Sequence, residues 1–178
     1  MYTNRDLALI AAFAAVYIVW GFASSIALRA VTFSADLFFL IAVLFAVLAI
    51  IVPKPWSATV LGTIVGLVFL GTPAPNVVHI TISLVANGLA FDVYLRMVKL
   101  RYDTVPRTHI VIAATLGNLV MAVIGLSAFQ ATGTTFSVLA WSLFVLGTGL
   151  TGTLGAAFGL VVARRFRTLP TSVTTRRL

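Results

Sequence analysis

Four long stretches of this sequence, residues 7–28, 37–53, 55–91 and 108–163, contain no Asp, Glu, Lys or Arg. In water every surface helix or strand needs a solvated face, and about a quarter of a soluble domain is charged. Charge-free runs of this length leave no such face. The 178 residues are 61% hydrophobic and 9% charged, with a mean hydropathy of +1.12. A soluble fold built from them would present an apolar surface to water, so the chain reads as an integral membrane protein. The runs are continuously apolar instead of alternating, which argues against barrel strands, and open sheets cannot satisfy their backbone in hydrocarbon. The expectation is a compact all-α bundle.

A helix rises about 1.5 Å per residue, so roughly 20 apolar residues cross the hydrocarbon core. Residues 7–28 make a first span, longer than the apolar core of a secretory signal, which runs to roughly 15 residues. Residues 37–52 make a second, stopped by Pro53-Lys54-Pro55. The third stretch is too long for one helix and breaks at Gly71-Thr72-Pro73-Ala74-Pro75-Asn76, a strong turn signal. That predicts spans at 57–70 and 77–95. The fourth breaks at the polar run Gln130 to Thr135, predicting spans at 109–129 and 136–163. Six spans form one domain over residues 1–167, followed by a flexible basic tail at 168–178.

With six spans both termini share a side. That side collects Arg5, Lys54, Arg96, Lys99, Arg101, Arg107, Arg164, Arg165, Arg167, Arg176 and Arg177, and the other has only Arg29. Basic loops stay in the cytoplasm, which predicts both termini there. The net charge of +8 is thereby a topological signal, and nucleic acid is not an expected partner. The chain has no cysteine, which excludes disulfides, thiolate metal sites and a cysteine nucleophile. It has no glutamate, and its aspartates are Asp6, Asp36, Asp92 and Asp103. Acid–base chemistry has few carriers.

Small residues at every fourth position let helices approach closely in lipid. Gly62 and Gly66 are so spaced in the third span, and Gly147, Thr151, Gly155 and Gly159 form one groove in the sixth. Packing of the bundle on itself accounts for both. The first span carries Ala8, Ala11, Ala12, Ala14 and Ala15 over more than one face, leaving a surface for a partner.

The opening Arg5-Asp6-Leu7-Ala8-Leu9-Ile10-Ala11-Ala12-Phe13-Ala14-Ala15-Val16-Tyr17 resembles the start of the substrate-binding S components of energy-coupling factor (ECF) transporters. The family's Ala-x-x-x-Ala motif is matched by Ala11 and Ala15. Further similarity lies in Val78-His79, in Gly88-Leu89-Ala90-Phe91-Asp92-Val93-Tyr94-Leu95-Arg96, and in the glycine-rich last helix ending at Arg164-Arg165. The resemblance implies a multi-pass subunit of a prokaryotic plasma membrane that binds a vitamin or vitamin precursor near the extracellular face. It implies docking through Ala8, Ala11, Ala12 and Ala15 onto a membrane T component driven by two cytoplasmic ATPases. The chain itself has no phosphate-binding Gly-x-x-x-x-Gly-Lys-Ser/Thr sequence. Metal-binding relatives place a His close behind the initiator Met. Here Tyr2 stands at that point, and the histidines are only His79 and His109, so an organic substrate is expected, with no metal and no cofactor.

Polar residues inside spans are costly and are candidates for function. His79, Ser83 and Asn87 recur at every fourth position and make one polar stripe on the fourth span, facing protein or a cavity. His79 alone reads equally as an interfacial side chain or a pocket residue. Asn118 either bonds another helix or reaches substrate. Gln130 lies near the outer end of the fifth span. Trp141, near the outer end of the sixth, is either an interface anchor or an aromatic wall for a flat heterocycle. Arg29 pairs with Asp36 or contacts an anionic substrate, and Asp36 otherwise caps the second span. Asp92 and Arg96, at i and i+4, suggest an ion pair at a helix end, with a role in seating the partner as the alternative. Thiamine-like or pyrimidine-like heterocycles suit these candidates, with biotin and riboflavin also open. Gly125-Leu126-Ser127-Ala128 weakly resembles a rhomboid-type serine motif, but both histidines precede it and no nucleophile–base pair can be assembled, so no enzyme is expected. The competing reading is a membrane scaffold or assembly subunit without a solute pocket.

Overall fold

A computed structural model describes residues 1–27, 35–72, 77–98, 105–131, 133 and 135–167. Among these residues the chain forms six helices and no strand. They are α1 (Asn4–Ala27), α2 (Ala35–Ile51), α3 (Ser57–Leu70), α4 (Val77–Met97), α5 (Arg107–Ala131) and α6 (Val138–Arg167). Four of them, over Asn4–Ser24, Val77–Met97, Arg107–Ala131 and Val138–Arg165, are long and apolar enough to cross a membrane. α2 and α3, with 17 and 14 residues, are shorter than the roughly 20 residues that a free crossing needs.

The helix ends follow from local chemistry. At the start of α1, Thr3 N–H donates to Asp6 Oδ2 (2.9 Å) and Asp6 N–H donates to Thr3 Oγ1 (3.2 Å), a reciprocal capping box. α2 stops before Pro53, which has no N–H to continue the ladder. Ser137 Oγ accepts from Ala140 N–H (3.2 Å) and caps α6. α3 begins after Trp56, which sits in the left-handed region at φ 68°, a conformation that costs an L-residue roughly 1–2 kcal/mol. The Arg96 guanidinium lies over its ring at 5.3 Å.

α2 is the hub. Ile41 to Ala49 are buried without a break, so this helix is enclosed on all sides and its uniformly apolar sequence fits that position. α6, α5, α4 and α3 follow one another as neighbours, and α1 packs on α3 and α2. Phe45 of α2 meets Phe91 of α4 with ring centroids 5.4 Å apart. α6 comes closest. A Cβ on Gly159 would lie 2.6 Å from the Val43 carbonyl oxygen, and one on Gly155 would meet the Phe39 carbonyl. Gly147 has open space instead and is exposed. The expected continuous groove of α6 therefore packs only over its C-terminal half, because α2 does not run beside the first turns.

Consecutive helices run antiparallel, so alternate ends meet. Tyr2 Oη donates to the Pro55 carbonyl (2.6 Å), Asp92 of α4 reaches Thr59 of α3, and Tyr94 Oη lies 3.0 Å from His109 Nδ1 of α5. These contacts gather Arg5, Lys54, Arg96, Arg107, Arg164 and Arg165 at one end of the bundle, called the basic end below. No basic residue stands at the other end among the described residues. Arg29, Lys99 and Arg101 lie outside them, as does the 168–178 tail.

The expected Asp92–Arg96 pairing gives way to a longer-range arrangement. Asp92 Oδ2 accepts both the backbone N–H and the hydroxyl of Thr59, each at 2.7 Å, and so caps the first turn of α3, while Arg96 turns to Trp56. Asp92→Ala removes the acceptor from two donors and is expected to cost about 1–3 kcal/mol. Asp92→Asn keeps a carbonyl oxygen and is expected to lose less. Thermal unfolding in detergent checks this, and equal losses for the two variants would mean that the cap is not the source.

Candidate functional site

α4 turns its polar stripe inward. His79, Ser83 and Asn87 are 7%, 3% and 0% exposed, so all three lie inside the protein, away from a surrounding solvent or lipid. The facing element is α5, and the two helices are matched in register. Phe129 packs on the His79 ring with centroids 4.4 Å apart. A Cβ on Gly125 would stand 3.5 Å from Ser83 Oγ. Met121 Sδ and Asn118 Oδ1 accept from Asn87 Nδ2 at 3.2 and 3.1 Å. Gly117 lies against Asn87 Oδ1. Residues 117, 121, 125 and 129 recur at every fourth position on α5, and the glycines let the α5 backbone lie directly against the stripe.

The stripe's polar atoms are only partly used. His79 Nε2, Ser83 Oγ and Asn87 Oδ1 are buried and have no hydrogen-bond partner, and the same holds for Trp141 Nε1 on α6. Native proteins pair nearly all such atoms, because each orphan costs about 1–3 kcal/mol. Three such orphans lie along one helix face. They comprise a hydroxyl, an amide oxygen and an imidazole nitrogen, a set that can both donate and accept. That set suits a neutral, hydrogen-bonding solute.

Asn118 has a different character. Its Oδ1 accepts from Asn87, and its Nδ2 donates to the Phe38 carbonyl (2.9 Å) and more distantly to the Thr148 carbonyl (3.5 Å). One side chain thus ties α4, α5, α2 and α6 together, with both amide protons engaged. A second tie runs from Thr115 to Thr153, whose hydroxyls are 2.8 Å apart.

The remaining candidates are dispersed. Gln130 is exposed near the end of α5, and Trp141 is half-buried near the start of α6. Arg29 lies outside the described residues. Asp36 Oδ2 accepts from the Trp20 indole N–H at 3.0 Å, so it clasps α1 to α2. Ser127 is exposed while His79 is buried, and the two do not form a couple. Among the described residues, no three His, Asp, Glu or Cys side chains form a group able to hold a metal. The sequence reading missed Gly117, Met121, Gly125 and Phe129, though their four-residue spacing was a usable signal. It also missed Phe136, which meets Phe129 edge-on at 6.4 Å and extends the aromatic cover over His79.

Ala8, Ala11, Ala12 and Ala15 are all exposed on α1, whereas Ile10, Ala14 and Tyr17 form its buried face. Glycines on α3 behave oppositely: a Cβ on Gly62 would come within 2.5 Å of the Leu84 carbonyl oxygen of α4. The small residues of α3 are consumed by packing, and those of α1 are not. Two grooves open elsewhere. One of about 390 Å³ lies between α1 and α2 along Ala15, Val16, Val19, Trp20 and Leu40. The other, of about 470 Å³, lies between α5 and α6 at the basic end. Neither reaches the stripe.

The architecture is an all-helical bundle with helices of membrane-crossing length and a buried polar seam between two of them. No protein-family model, no curated protein and no solved structure matches the chain.

Proposed function

We propose that this chain is a solute-capturing membrane subunit of the ECF S-component kind, with six spans and both termini in the cytoplasm. The clustering of basic residues at one end supports that orientation through the positive-inside rule. α2 and α3 complete the six: α2 is sheathed by protein, and a short span is tolerated where neighbours shelter it. The observation that carries the functional reading is the row of unpartnered atoms on α4, His79 Nε2, Ser83 Oγ and Asn87 Oδ1. The stripe begins near the end opposite the basic residues, the extracellular end in this orientation. The solute is a heterocycle of the vitamin or vitamin-precursor class, thiamine-like or pyrimidine-like, held by these groups beside Phe129. The exposed alanines of α1 are the surface for the T component, and ATP hydrolysis belongs to its associated ATPases. The protein itself acts as a binder, not an enzyme.

The competing reading, an assembly subunit without a solute pocket, draws on the structural ties made by Asn118. Calorimetric titration of the purified protein with thiamine, pyrimidine precursors, biotin and riboflavin decides between them. One compound is expected to bind one-to-one. Ser83→Ala is then expected to weaken it roughly 5- to 10-fold, the worth of one neutral hydrogen bond. Heat flat across the whole panel, from protein that remains monodisperse, removes the solute-binding reading.

A further inference from the structure

We infer that the groove between α5 and α6 at the basic end is a binding site for one anionic phospholipid. It rests on the membrane embedding proposed above and is independent of solute capture. Arg107 opens α5 and Arg164 lies in the last turn of α6, and the antiparallel packing of the two helices brings both to one mouth. Behind the mouth the lining changes to hydrocarbon: Val111, Leu160 and Val161 form the walls, and Ala157 keeps the space open. Arg107 and Val111 are four residues apart, as are Leu160 and Arg164, so charge and apolar lining share one face of each helix. The groove therefore passes from cationic to apolar within about one helical turn, roughly 5 Å. A phospholipid has the same order, phosphate first and acyl chain behind.

The charge complementarity is specific to an anion. The described carboxylates are committed elsewhere: Asp6 to Thr3, Asp36 to Trp20 and Asp92 to Thr59. Both arginines are exposed. Basic pockets between membrane helices on the cytoplasmic side are known receivers of anionic headgroups. A free phosphate would satisfy the arginines but leave the apolar half of the groove empty, so the lipid is the occupant assigned.

Native mass spectrometry of the full chain tests this, with phosphatidylglycerol and phosphatidylcholine offered at equal concentration. One phosphatidylglycerol is expected to be retained at least 10-fold over phosphatidylcholine. Arg107→Gln with Arg164→Gln is expected to abolish the preference. Ala157→Leu, which fills the groove and keeps both charges, is expected to reduce retention by a similar factor. Excess inorganic phosphate is expected not to displace the lipid. Equal retention of the two lipids, or a preference that survives the double substitution, overturns the site. Unchanged retention in Ala157→Leu would mean diffuse surface attraction, and full displacement by inorganic phosphate would mean a free anion; either also overturns it. Circular dichroism of each variant confirms that the helices persist. A failed solute titration leaves these outcomes untouched.

Discussion

Gly159→Leu is expected to pull α6 away from α2 and to cost several kcal/mol, enough to lose the monodisperse protein in detergent. Adding methylenes to a packed core ordinarily costs about 1–3 kcal/mol, when neighbouring side chains can yield. Here the first added atom meets backbone: the Val43 carbonyl oxygen at 2.6 Å and Val43 Cα at 3.1 Å, with the Ala46 methyl at 3.0 Å. α2 cannot retreat, because its residues from Ile41 to Ala49 are buried on every side. Gly155→Leu is expected to behave alike against Phe39 and Ala42. Gly147→Leu is the control. It belongs to the same four-residue series, yet nothing lies within 4 Å of its added Cβ, and the change is expected to stay within about 0.5 kcal/mol. Thermal unfolding and size-exclusion profiles of the three variants measure this. Similar behaviour at 147 and 159 would disprove the α2–α6 contact.

The second large effect concerns association. Ala11→Trp combined with Ala15→Trp is expected to abolish co-purification with a coexpressed T component, a loss of at least 100-fold, while the unfolding temperature of the isolated subunit barely moves. Both alanines are exposed and the buried face of α1 runs through Ile10, Ala14 and Tyr17, so indoles at 11 and 15 do not intrude on the bundle. They would hold a partner helix away from a surface whose value is close approach. Ala14→Trp provides the contrast, because a buried alanine with 2% exposure cannot take an indole, and that variant is expected to unfold. Retention of the complex by the Ala11/Ala15 double variant would place the partner elsewhere.

Helix positions were legible where the chain carries local punctuation. Pro53-Lys54-Pro55 ends α2, residues 57–70 match α3, and α5 runs two residues into the polar run that begins at Gln130. The inward direction of His79, Ser83 and Asn87 was equally legible, because three polar residues at four-residue spacing in an apolar helix have one low-energy place to go. Long-range partners were not. Asp92 has an arginine one turn away, and local spacing favours that pair; the winning partner, Thr59, stands on another helix and offers two donors at once. Gly147 and Gly159 are indistinguishable by spacing, and only the course of α2 separates their roles. Asn118 read as ambiguous because its bonds to Phe38 and Asn87 join helices whose adjacency no local pattern encodes.

The enclosure of α2 also bears on biosynthesis. This helix is made before the surface that seats it most closely, the Gly155–Gly159 face of α6, with three other helices between them in the chain. In the membrane setting proposed above, lipid tails would wrap one flank of α2 until α6 arrives, which its apolar residues accept without penalty. The arrival of α6 then covers that flank with glycine backbone, so the bundle closes only after α6 is made. Chains truncated before α6 would lack this central clasp.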